Sequence, residues 1–153
     1  MAIIQPLRIK TISQYHQVMG LPKPEHPLVS VINLESIVHQ PGNEPISLVF
    51  DFYSISLKRN FNGKIKYGQQ EYDFDEGVMF FISPNQVFGI ERNSNEELIR
   101  SGWILLVHPD FLWNTSLAKS IKRYEYFSYS VHEALHLSEK EETMITGILQ
   151  NIE

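Results

Sequence analysis

Between residues 28 and 107 apolar and polar positions alternate in short runs, the period of strands that bury one face. Residues 28–32 form a β-rich run, and residues 46–52 and 53–57 alternate at period two. Asn62-Gly63 is a hairpin signal between the latter run and residues 64–67. Residues 68–70 read as a turn before a run at 71–74, and Asp75-Glu76-Gly77 turns into an apolar strand at 78–82. Pro84-Asn85-Gln86 stops that strand, and residues 87–91 return. A polar loop at 93–95 precedes the last long run, residues 99–107. Short strands separated by turns at about 8–12 residues predict a sandwich or barrel.

The period changes at both ends. Residues 11–19 predict a short helix with Ser13 as its cap and Ile12, Tyr15 and Met19 near one face. Gly20 ends it, and Pro22 and Pro24 prevent its renewal. Pro109 or Asp110 opens a helical turn, residues 116–122 form a short helix, and residues 126–131 alternate as a final strand. Ser138 and Glu141 have the spacing of a capping box. The helix it opens places Met144, Ile145, Ile148, Leu149 and Ile152 on one face. No stop signal follows, so the chain is expected to continue into a further segment.

Composition narrows the function classes. The 153 residues suffice for one domain with its own core. A net charge of −5 argues against this piece being a nucleic-acid surface, which needs clustered Lys and Arg. Lys58, Arg59, Lys64 and Lys66 read as a solvated strand edge. There is no cysteine, which removes disulfides and thiolate metal sites and fits a reducing cytoplasm. The longest apolar runs, such as residues 103–107, are too short to cross a bilayer.

Two motifs bear on chemistry. The stretch from Glu76 to Phe88 has the grammar of a small ligand-holding β-barrel, in which two strands fold back over a cavity. A metal-binding version would carry a histidine near its end, where Phe88 and Gly89 stand. His132-Glu133-Ala134-Leu135-His136 matches H-E-x-x-H, which holds zinc when both histidines share a helix face. The capping box begins its helix after this motif, and the alternation before it is strand-like, so packing of Leu135 and Leu137 is the preferred account. No metal, cofactor or catalytic residue is assigned. The candidate ligand-binding residues are Ser54, Ser56, Phe80, Phe88, Trp103 and His108, a mostly apolar set with a few polar groups. Ser54 and Ser56 share one strand face, while Tyr53, Ile55 and Leu57 share the other; the pattern leaves open which faces inward.

Four stretches in order carry a family resemblance: His26-Pro27-Leu28-Val29, residues 67–87 with their Gly and Pro-Asn-Gln turns, residues 102–112 with His108-Pro109-Asp110-Phe111-Leu112, and residues 127–142. The chain resembles the N-terminal sensing and dimerisation domain of AraC/XylS-type bacterial transcription regulators. The resemblance implies a mainly β fold, a cupin-like β-barrel of the double-stranded β-helix or jelly-roll type, followed by C-terminal helices. It implies an arm with a short helix at residues 1–27, a sensing barrel at 28–131, and a junction and helix at 132–153. It also implies a small-molecule effector, a homodimer formed through Met144, Ile145, Ile148, Leu149 and Ile152, and DNA binding by a C-terminal domain absent from these residues. The expected setting is the cytoplasm. The alternatives are a cupin-type enzyme, a metal-dependent isomerase or dioxygenase, and a purely structural dimerisation domain.

Overall fold

The structure is a computed structural model that describes residues 6–36, 46–59, 61–67, 70–74, 78–90, 101–121 and 135–152. In chain order the elements are β1 (Leu7–Ile9), α1 (Ile12–Val18), β2 (Val29–Asn33), β3 (Ile46–Phe50), β4 (Tyr53–Arg59), β5 (Phe61–Tyr67) and β6 (Gln70–Phe74). Then come β7 (Val78–Ile82), β8 (Val87–Ile90), β9 (Ser101–Val107), α2 (Leu117–Ser120), β10 (Leu135–His136) and α3 (Glu139–Ile152). The protein is mainly β with a C-terminal helix. The strands form two sheets, one in the order β1-β3-β8-β5-β6 and the other β10-β7-β4-β9-β2. Among the described residues no ladder joins the two sheets, and no closed barrel is seen.

The chain changes sheet at tight corners. It passes from β3 to β4 through Asp51 and Phe52, and from β7 to β8 through residues 83–86. Phe52 is fully buried at its corner and stacks on Phe50, with ring centroids 4.7 Å apart and planes 16° apart. At the other corner Asn85 has φ 68°, a conformation asparagine tolerates better than most residues. Its N–H donates to the Phe50 carbonyl at 2.8 Å, and its Oδ1 accepts from Arg8 at 3.0 Å. Arg8 also pairs with Asp51, so one guanidinium ties both corners together.

The Asn62-Gly63 hairpin expected after β4 is not formed. β4 and β5 belong to different sheets, and Asn62 and Gly63 lie within β5 where its register with β6 shifts between Phe61 and Ile65. Glycine permits a bulge as readily as a hairpin turn. The expected strand at 126–131 lies outside the described residues.

The main core lies between the sheets. β1, β3 and β8 contribute Ile9, Leu48, Phe50 and Phe88, while β2, β7 and β9 contribute Ile32, Phe80, Ile82, Ile104 and Leu106. α1 adds Ile12, Tyr15 and Met19 to the same cluster. Thr11, rather than Ser13, caps α1 by accepting from the Gln14 N–H at 3.0 Å. The N-terminal segment expected as an arm thus supplies a strand, paired in parallel with β3, and four core side chains, Ile9, Ile12, Tyr15 and Met19. Burying such side chains stabilises by roughly 1.5–3 kcal/mol each.

A second layer covers the outer face of the β4 sheet. Tyr53 packs with Leu112 and Ile121, and Leu57 with Met79, Leu137 and Ile145 of α3. β4 is the middle strand of its sheet and is covered on both sides. β9 approaches it unusually closely at Gly102, which sits opposite Lys58 with φ 126°. A Cβ there would overlap the Leu57 carbonyl oxygen and lie 2.9 Å from its carbon, so only glycine fits.

Candidate functional site

The register settles which face of β4 is inward. Ser54 lies between Ile82 and Leu106, and Ser56 between Phe80 and Ile104. All four neighbours belong to the core between the sheets. Ser54 and Ser56 therefore point inward with their strand-mate Lys58, while Tyr53 and Leu57 pack under the helices. This reverses the usual rule that apolar residues take the inner face. The outer face is apolar because helices cover it, and the inner face is where the polar residues stand.

Ser54 and Ser56 are each only 3% exposed. Among the described residues neither hydroxyl makes a hydrogen bond to another protein group. Both line a cavity of about 50 Å³ with Lys58, Tyr15, Met19 and Phe88. Apolar side chains from both sheets, Leu48, Phe50, Ile82 and Ile104, complete its wall. Phe88 meets Phe50 edge-on at 5.0 Å. Phe80 lies beside the cavity, with the Lys58 ammonium 5.9 Å from its ring centroid. A buried hydroxyl without a protein partner needs water or a ligand, and this space admits a few small atoms.

The other two candidate residues lie elsewhere. Trp103 is on the outer face of β9, opposite Leu57 and Asn33, and lines a crevice of about 290 Å³ against α3. His108 ends β9 and caps the 3₁₀ turn Pro109–Leu112, its Nδ1 accepting from the Asp110 N–H at 3.1 Å. Its role there is to tie down a turn.

The five apolar residues of α3 divide between two environments. Ile145 packs toward Leu57 and Met79, and Leu149 is 5% exposed. Met144, Ile148 and Ile152 are 61%, 55% and 49% exposed, one residue per turn along the outward face. The capping box forms: Glu141 accepts from the Ser138 N–H at 3.1 Å, and Ser138 Oγ accepts from the Glu141 N–H at 3.2 Å. The Ser138 side-chain and backbone hydrogen bonds hold the Glu141 carboxyl below its ordinary value.

A buried histidine fastens the segment after α1. His16 Nδ1 donates to the Pro22 carbonyl at 2.8 Å, and Nε2 lies 2.8 Å from Ser30 Oγ on β2. A carbonyl only accepts, so Nδ1 carries a proton. The segment from Leu21 to His26, with β2 and Ile152, borders a surface cleft of about 340 Å³.

The H-E-x-x-H match ends in extended backbone, since Leu135 and His136 form β10 against β7. His132, Glu133 and Ala134 lie outside the described residues. Among the described residues no group of three or more His, Asp or Glu side chains could hold a metal ion. No helix among them is long and apolar enough to cross a membrane.

Lys58, Tyr15 and Met19, like the wall residues Leu48, Phe50, Ile82 and Ile104, line the cavity but are not among the residues the sequence singles out. Lys58 carried a signal, because it shares the period-two face of Ser54 and Ser56. Tyr15 and Met19 carried none beyond the apolar face of a short helix. In comparisons with known proteins, no family model and no curated protein matches this chain.

Proposed function

We propose that this chain is the sensing and dimerising domain of a cytoplasmic AraC/XylS-type transcription regulator, working by recognition rather than turnover. In this reading the two sheets are the halves of a cupin-like jelly roll and the effector's polar group sits between them. DNA contact belongs to a separate C-terminal domain. The observation that supports it most is the pair of buried serines on the inner face of the central strand, aimed into a cavity. Evenly buried apolar residues would make a more stable core there. The exposed row Met144, Ile148 and Ile152 supports pairing of α3 with its twin in a homodimer.

The size of the cavity favours a second reading, a structural dimerisation domain with a filled interior. About 50 Å³ is well below the roughly 300–1,000 Å³ of typical small-molecule sites. A thermal-shift screen of small metabolites separates the two, run on the parent and on Ser54→Ala/Ser56→Ala. Sensing predicts compounds that raise the parent's melting temperature and leave the variant's unchanged. A screen in which every hit acts equally on both proteins favours the structural reading.

A further inference from the structure

Resting on the sensing reading, the chemistry of the cavity specifies what that site takes. We propose that it receives a carboxylate, the head of a small organic acid, with Ser54 and Ser56 donating hydrogen bonds and Lys58 balancing its charge. Both hydroxyls are 3% exposed and have no partner among the described residues. They are two residues apart on one strand, about 6.8 Å at the usual rise. A carboxylate is acceptor-only, and its two oxygens fit between donors so spaced at about 2.5–2.7 Å from each.

Charge and lining favour an acid over a sugar. A buried anion requires an opposite charge, and Lys58 is next along the same inward face and lines the same cavity. The rest of the wall is apolar or aromatic, including Leu48, Ile82, Ile104 and Phe88. A polyol would turn hydroxyls toward these carbons and leave them unpaired. An acid sets one polar end on the serines and leaves its body to the apolar wall. The cavity, about 50 Å³, matches a head group rather than a whole metabolite.

Methionine-methyl NMR tests this on the intact chain. Met19 lines the cavity, Met79 packs on the outer face of its sheet, and Met144 is exposed on α3. Formate, acetate and propionate are titrated beside the neutral isostere acetamide and beside glycerol. The expected result is a saturable shift of Met19 with acetate, with Met79 and Met144 stationary and acetamide weaker by about tenfold or more. Ser54→Ala and Ser56→Ala should each weaken acetate by about tenfold. Lys58→Gln should erase the preference for acetate over acetamide, and Lys58→Arg should keep it. Unchanged Met79 and Met144 signals report that each variant is folded. The proposal is overturned if acetamide or glycerol saturates the Met19 shift as well as acetate does, or if no carboxylate moves it. A glycerol response without an acetate response removes the carboxylate assignment and leaves sensing standing.

Discussion

Replacing both inward serines by alanine should make the protein more stable, an unusual outcome for a core substitution. Serine and alanine differ little in volume, so no large cavity term enters. What changes is the polarity of two sites that are 3% exposed and have no hydrogen-bond partner among the described residues. An unsatisfied buried hydroxyl costs roughly 1–3 kcal/mol. Water in the cavity recovers much of this, at an immobilisation cost of about 0–2 kcal/mol for each water. The balance is a gain of about 1–2 kcal/mol for the pair. For a chain of this length that raises the melting temperature by roughly 2–8 °C. Urea unfolding followed by circular dichroism and by tryptophan fluorescence measures it, with coincident transitions and an unchanged denaturant slope as controls. A variant less stable than the parent by more than about 1 kcal/mol would refute the reasoning, because it would mean that the hydroxyls already belong to a satisfied network.

Gly102→Ala should destabilise by about 3 kcal/mol or more, from a positive φ and overlap with the β4 backbone, read as a lowered urea midpoint. Leu149→Ala should cost about 2–4 kcal/mol, whereas Ile148→Ala should change monomer stability by less than about 0.5 kcal/mol. Ile148→Asp should weaken self-association by about tenfold or more in sedimentation velocity while leaving the fold intact; equal unfolding by Leu149→Ala and Ile148→Ala would contradict the two-faced helix. Because the folded-state pKa of Glu141 is depressed, its contribution to α3 is complete above the ordinary carboxylate pKa and is lost as pH falls through the depressed value. Carboxylate NMR across that acid range should show Glu141 titrating below the ordinary carboxylate value, and Ser138→Ala should bring it back up toward that value.

The strands from β2 to β9 and the two longer helices were legible because their signals are local, whereas β1 and β10, only three and two residues long, carry too few positions to show a period. Alternation marks a half-buried strand, and Ser138 with Glu141 marks a helix start, without reference to the rest of the chain. Four features were not local. Asn62-Gly63 satisfies a hairpin and a bulge equally well, and the sheet assignment of β5 decides between them. The faces of β4 were distinct in sequence, but which one is inside depends on the helices that arrive later and cover Tyr53 and Leu57. On β9 parity is invisible, because Trp103, Ile104, Leu105 and Leu106 are all apolar; only pairing with β4 turns Trp103 outward. The stripe on α3 is broad enough for two faces, and its sequence does not mark the line between Ile145 and Leu149 on one side and Met144, Ile148 and Ile152 on the other.

The two halves of the proposed function meet at one strand. β9 presents Ile104 to the cavity, and the next residue back, Trp103, to the crevice beneath α3. Gly102 holds that strand against the strand bearing the serines, at the position of Lys58. Adjacency of this kind supplies a short mechanical route, but proximity alone is not coupling. A carboxylate could alter pairing of α3 only if it binds the paired and unpaired forms with different affinity. Linkage then fixes a strict consequence. Whatever factor acetate applies to the dimer dissociation constant, dimerisation must apply to the affinity for acetate. Comparing the Met19 titration below and above the dimer midpoint therefore measures the coupling itself. Identical affinities at both concentrations would leave a cavity that binds and a helix that pairs, with no energetic connection between them.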